Sequence, residues 1–333
     1  MKTLGLKTWG RIDIWGLIAT AVLALLATPA PASDDYPNRT ITMIVPFSPG
    51  SAADNSMRPF TRVLSQKLGQ TVVIDNKPGA GGILGMEIGA AAKPDGYTLI
   101  FGSSGPMATF SSLYKKLSYD PAKSFTAIRA GASNPYVMVF NPAKPYKTLP
   151  EFIDYAKKHP NTINYGSVGN GSSGHLGGEL LQQLTGITMT HVPYKVSASL
   201  MSDLLSGVLD VGFEFPSGVK ANIESGKLLP VAMASDARMK NFPTVPTFAE
   251  LGYPDMKIAA WSSFLVPAGT PAPIVEKLDA AIAQTLRDPV MTEYYAIGDS
   301  VVLDVDHRKF PAFLADETAR LKVLVERSGA TAD

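Results

Sequence analysis

Cysteine is absent from all 333 residues, which excludes disulfide frameworks and thiolate metal ligands. An excess of either charge is also missing: 30 lysines and arginines stand against 29 aspartates and glutamates. Without a basic run the chain has no electrostatic footprint for nucleic acid or an anionic membrane surface, so no nucleic-acid partner is expected. The four histidines (His159, His175, His191, His307) never stand i, i+4 as a zinc-binding helix requires, and no metal is expected. No G-x-S-x-G occurs, and Ser103-Ser104 has no histidine close in sequence, so nucleophilic catalysis finds little support. Nothing in this inventory calls for a cofactor, and the chain does not read as an enzyme.

Long apolar runs are missing except at the start. Lys2, Lys7 and Arg11 precede Ile14–Ala27, which is apolar but for Thr20, and Ala30-Pro31-Ala32 fits a small-x-small cleavage site. This pattern predicts a secretory signal peptide over residues 1–32, cleaved near Ala32. Its apolar core is shorter than the ~20 residues of a membrane span, a retained anchor being the alternative. Cleavage would leave about 300 residues, room for two domains that bury enough apolar surface without disulfides. It would also remove three basic residues and one acid, turning the formal charge slightly negative.

From Thr40 the chain alternates β and α signals. Ile41–Val45, Thr71–Asp75 and Tyr97–Phe101 read as strands, with helices over Ala52–Leu68 and Gly82–Ala92 between them. Thr148 and Glu151 form a capping box, after which strands at Ile163–Tyr165, Met189–Val192 and Val211–Phe213 alternate with helices at Gly174–Leu184 and Ser197–Leu205. Such alternation predicts an α/β fold with doubly wound sheets and ligands beyond the carboxyl ends of the strands. Tyr136–Phe140 and Ser262–Val266 are apolar runs each closed by two prolines, read together as two crossings between lobes. The expected organisation is therefore a discontinuous first lobe, 33–137 plus 262–333, and a second lobe, 138–261; a linear split is the alternative.

The stretch from Ile163 to Leu181 carries the strongest functional signal. A strand, a glycine/serine loop and a helix follow one another, so backbone N–H groups and the positive helix end can hold an anion without a lysine or arginine. Pro49-Gly50-Ser51 after Ile41–Val45 is a second loop of the same kind. Gly169–Gly174 formally matches G-x-G-x-x-G, but the next strand ends in Pro193-Tyr194-Lys195 rather than in an acid for ribose hydroxyls. An anion cradle with Ser172 and Ser173 as extra donors fits better than a dinucleotide site, the plain alternative being a serine-capped turn. Asp54 lies in a helix first turn, where the dipole alone would stabilise it, and His175 and Glu214 stand near the same edge with no partner fixed by spacing.

The mature chain as a whole resembles the Bug family of extracytoplasmic solute receptors, the binding proteins of tripartite tricarboxylate transporters. The resemblance is carried in order by ITMIVPFSPGSAAD with Arg58, VVIDNKPGAGG, KPDGYTLIFGSSG, YKKLSYDPAKSF, GSVGNGSSGHLGGEL, HVPYK and FLVPAGTPAPIVEKL. It implies a periplasmic, non-catalytic, monomeric receptor with the two-lobed type II binding-protein fold, two sheets joined by two crossing strands. Implied partners are a small organic carboxylate and the membrane subunits of such a transporter; presentation to a membrane sensor and a periplasmic enzyme acting on a small carboxylate or ester are the alternatives.

Carried over by position, the resemblance implies ligand contacts from Phe47, Ser51, Asp54, Ser103 and Ser104 in the first lobe. The second lobe would supply Gly169, Asn170, Ser172, Ser173, Gly174 and His175, with Tyr194 and Glu214 on the wall. Ser51, Glu214 and Phe215 replace the glycine, aspartate and asparagine usual in the family, which alters the width and polarity of the cleft. Phe47 and Phe215, with Pro106 and Met107, suggest an apolar lining suited to one carboxylate on an aromatic or aliphatic body. Trp261, the only tryptophan after residue 32, is expected beside the second crossing.

Overall fold

The computed structural model describes residues 36–328, so the expected signal peptide lies outside the described residues. Strand β1 (Ile41–Val45) leads to helix α1 (Ala52–Leu68), β2 (Val72–Asn76), α2 (Ile83–Ala90) and β3 (Thr98–Ser103). A π-helical turn at Gly105–Thr109 runs into the short α3 (Phe110–Leu113), followed by the long β4 (Phe125–Pro135). Then come β5 (Val137–Phe140), α4 (Leu149–Lys158), β6 (Ile163–Ser167), α5 (Ser173–Thr185), β7 (Met189–Pro193) and α6 (Ser197–Ser206). β8 (Val211–Glu214), α7 (Pro216–Glu224), β9 (Leu229–Met233) and β10 (Ala259–Pro267) follow. The chain continues through α8 (Ala272–Leu286), α9 (Pro289–Ile297), β11 (Val301–Val302) and α10 (Phe310–Ser328).

These strands form two sheets. Sheet A has the order β11-β4-β10-β3-β1-β2 and sheet B the order β7-β6-β8-β5-β9. Each contains a parallel triad whose first strand in sequence lies in the middle, β1 between β2 and β3, and β6 between β7 and β8. The remaining pairings are antiparallel, so both sheets are mixed rather than wholly parallel.

Local sequence explains the helices that position the loops. Ser51 caps α1 and Gly69, in the left-handed region at φ 68°, ends it. Phe60, on the buried face of α1, stacks on Phe264 of β10 with ring centroids 4.3 Å apart. In α5, Gly178 lies against Tyr165 of β6, where a Cβ would come within 2.2 Å of the ring, so the helix and strand approach more closely than alanine would allow. Ser172 caps α5 and Gly186 ends it, as Ser51 and Gly69 do for α1.

Both passages between the sheets run side by side. The outward one is the single residue Tyr136, between β4 and β5; its N–H donates to Ile258 O and its carbonyl accepts from Ala234 N. The return falls just ahead of Ala259, a few residues earlier than Ser262–Val266. That apolar run is the body of β10, flanked by β3 and β4, and its hydropathy reflects burial in the middle of sheet A. Trp261 is accordingly a sheet A core residue, edge-on to Phe310 and Phe313, with its Nε1–H donated to Glu317 Oε2 at 2.8 Å.

Candidate ligand-binding site between the two sheets

The central position of β1 and of β6 in its triad makes the carboxyl end of each a topological switch point, where neighbouring connections diverge and leave a crevice. The loops that leave these strands are built alike. Ser51 Oγ accepts the N–H of Asp54, and Ser172 Oγ accepts the N–H of His175, both at 3.3 Å. The third helical residue reaches back in each case. Asp54 Oδ2 takes the N–H of Gly50 at 2.8 Å, and His175 Nδ1 takes the N–H of Gly171 at 3.0 Å. Gly50 and Gly171 both adopt the left-handed region, at φ 78° and 73°.

Several of the residues expected at the ligand therefore build the loops. Asp54 is fully buried and also receives Arg58 Nε at 2.9 Å and Asn76 Nδ2 at 3.1 Å. Burial pushes its carboxyl up, but the bonds from Gly50, Asn76 and Arg58 outweigh that and leave it below the usual range. His175 is buried and stacked on His191 with centroids 4.0 Å apart. Burial lowers it to about 4, and His191, also beside His175, to about 3, so both are neutral near pH 7. An acceptor role at Nδ1 assigns the His175 proton to Nε2.

The donors of the second cradle are correspondingly fewer than its glycine content suggests. The N–H of Gly169 goes to Ser167 Oγ, that of Gly171 to His175 and that of Ser172 to Gly169 O. Asn170, Ser173 and Gly174 keep N–H groups with no acceptor among the described residues. Ser173 and Gly174 open α5, so their donors coincide with the positive end of the helix.

A cluster from both sheets meets beside these donors. Ser104, at the end of β3, places Oγ 3.4 Å from Ser173 Oγ. Tyr136, at the passage between the sheets, also hydrogen-bonds Ser173, and its ring lies 4.5 Å from that of Phe215. Burial first, and then the nearby Glu214 carboxyl, raise the Tyr136 hydroxyl above the ordinary phenol range. The side chain of Glu214, half-buried, forms no hydrogen bond or ion pair among the described residues, and burial pushes it up to about 8. Sequence reasoning did not name Tyr136 as a site residue. Its place at the start of an apolar run read as a crossing was the signal that could have found it.

The other expected contacts are distributed around this cluster. Gly169 lies in the second loop, at φ 118°. Phe47 sets its ring edge-on to Phe101 and gives its carbonyl to Asn76 Nδ2, while Ser103 pairs with Ser262 in the β3–β10 ladder. Tyr194 donates its hydroxyl to Asp203 and its N–H to Ser167 O. Pro106 and Met107 are both buried, Met107 in the sheet A core with Met86, Ile100 and Leu265. Their apolarity serves packing. Across the gap, Phe110 and Leu113 pack with Leu176 and Val325, and an added Cβ on Gly171 would stand 2.2 Å from Leu113 Cδ2.

Two mixed α/β sheets with paired helix-start loops at their switch points define the class: a periplasmic binding protein fold. Solved structures agree. Periplasmic binding protein BugD superposes with a TM-score of 0.84 at 31% identity, over 90% of this chain and 100% of that one. An R. palustris protein solved with adipate gives 0.85 at 32% identity, over 89% and 99%. MatC from Rhodopseudomonas palustris, solved with bound malate, gives 0.81 at 31%, over 87% and 100%. Protein BugT of Bordetella pertussis is 36% identical over 315 residues, 94% of this chain and 95% of that one. The model of the tripartite tricarboxylate transporter family receptor, TctC, matches residues 57–330, and the chain belongs to that family.

Proposed function

We propose that this protein is a periplasmic receptor that captures one small organic carboxylate between two lobes and delivers it to the membrane subunits of a tripartite tricarboxylate-type transporter. Residues 1–32 serve as the export signal, removed near Ala32, and the mature chain, with sheet A built from residues before Tyr136 and from Ala259 onward as one lobe and the sheet B segment between as the other, works as a monomer without turning its ligand over. The observation that carries the reading is the meeting of Ser104 and Ser173 hydroxyls from the two sheets beside the open N–H groups of Asn170, Ser173 and Gly174. Adipate and malate in similar structures support a carboxylate as the ligand class.

Magnitudes agree with this reading. Three or four hydrogen bonds to a carboxylate, each contributing ~1.5–3 kcal/mol, approach the ~8 kcal/mol of micromolar binding. Phe47 and Phe215 would lie against an apolar ligand body. A thermal-shift screen of carboxylates with purified mature protein is expected to raise the melting temperature in ligand excess. Chemical turnover of the stabilising compound would replace the receptor by an enzyme, and undiminished uptake of labelled ligand in a deletion strain would remove the transport role.

A further inference from the structure

We propose that Glu214 is a cation-recognition group of the cleft, so that the preferred ligand carries an ammonium group beside its carboxylate, as an amino acid with an apolar side chain does. This rests on the receptor reading and names the ligand class within it.

The placement follows from register. β6 and β8 are neighbouring parallel strands with Tyr165 opposite Val211 and Gly166 opposite Gly212. Continuing that register sets Glu214 level with Val168, the first residue of the cradle loop, one strand spacing of about 4.8 Å away. A carboxyl group and the anion-favouring start of α5 thus share one edge of sheet B. The two ends of a zwitterion require such a pair of opposite preferences side by side.

Resident charges do not already satisfy Glu214. From the passage between the sheets Tyr136 presents only its phenol. From α5, His175 is neutral, with Nδ1 committed to Gly171 and Nε2 3.7 Å from Glu179. Arg320 of α10, which lines a small pocket with Ser173 and Ile258, is held at two points by Glu317. Arg58 is held by Asp54. A dicarboxylate would bring two negative charges to a cleft whose neighbouring Arg58 and Arg320 are already held by carboxylates. An amino carboxylate instead supplies the missing counter-charge.

Proton linkage gives the proposal its signature. With its carboxyl pushed up to about 8, Glu214 in the empty protein is mostly protonated at pH 7. An arriving ammonium favours the carboxylate, so the carboxyl proton leaves to solvent as the ligand binds.

Calorimetry on the mature protein at pH 7, in two buffers of different protonation heat, tests this with matched pairs: phenylalanine against 3-phenylpropanoate, leucine against 4-methylpentanoate, and adipate as the dicarboxylate. The expected result is about tenfold tighter binding of the amino member of a pair. Its binding should release a fraction of a proton approaching one, and in Glu214→Gln the ratio within the pair should fall to about one. Equal or tighter binding of the deaminated member, or an amino preference that survives in Glu214→Gln, overturns the proposal. So does adipate binding tightest without proton release, which would make Glu214 a hydrogen-bond donor to a second carboxylate. Failure of every carboxylate to bind would instead defeat the receptor reading, and this inference with it.

Discussion

Asp54 and His175 occupy the third position of two helices in different sheets, and each accepts the N–H of the glycine four residues before it, at 2.8 and 3.0 Å. One is an ionised carboxylate and the other a neutral imidazole, yet both close the same turn. Each loop is thereby fixed before any ligand arrives, and little ordering entropy remains to oppose binding.

Truncating Asp54 tests that closure. Asp54→Ala leaves Gly50 N–H, Asn76 and Arg58 without their acceptor and is expected to cost about 2–4 kcal/mol. Its carboxyl is depressed in the folded protein, so the contribution is complete at neutral pH, where the unfolded group is ionised too, and is lost as pH falls below about 4. Urea melts at pH 7 and pH 3 should show a large difference between wild type and variant at the first and a smaller one at the second.

The stacked histidines should make the protein acid-sensitive well above that range. His175 and His191 titrate at about 4 and about 3 when folded, against about 6.5 when unfolded. Between those limits the unfolded chain binds more protons, so stability falls with pH by up to about 1.4 kcal/mol per unit for each histidine. His191→Gln is expected to flatten the decline between pH 6.5 and 4.5. A slope equal to that of wild type would mean that the ring is not kept neutral by its surroundings.

Glu214 should act with the opposite sign. Its folded carboxyl holds a proton up to about 8, whereas the unfolded one loses it near 4.3. The ligand-free protein therefore loses stability as pH rises across that window. Glu214→Gln should be the more stable protein at pH 8, by about 1–3 kcal/mol, and indistinguishable from wild type near pH 4. Chemical denaturation at both values measures this without any ligand.

Gly171→Val combines backbone strain at φ 73° with a Cβ placed 2.2 Å from Leu113. The expected cost is about 1–3 kcal/mol of stability together with loss of ligand-induced stabilisation. Gly169→Ala, at φ 118° but facing open space, should show strain alone. Thermal melts with and without a stabilising carboxylate separate the two; equal ligand shifts in both variants would show that contact between this loop and α3 is not needed for binding.

Strands with dense apolar runs were legible in the sequence, and Ile41–Val45 and Met189–Val192 differ from the observed strands by at most one residue. β4 was not, because the strand runs through Gly131, Ser133 and Asn134, residues common in turns, and through the charged Arg129. Arg129 lies in that strand because Asp279 of α8 receives it at 2.7 Å, a partner 150 residues away. The loops around Ser51 and Ser172 were legible from glycine, serine and the following helix. The internal use of their donors was not, since it depends on where the side chains of Asp54 and His175 turn.

The ladder between β4 and β10 runs from Phe125–Pro267 to Pro135–Ala259 and stops where both segments leave sheet A. Its last rungs, Asn134–Ala260 and Pro135–Ala259, extend beyond the pairings with β3 and β11 as a two-stranded ribbon, stiff within its own plane and compliant across it. Two tethers emerging from adjacent rungs, rather than from opposite corners, confine any swing of sheet B against sheet A to one angular coordinate. A single ruler is then enough to follow it: spin labels at the exposed Leu84 and Val168 would report the whole excursion as one distance.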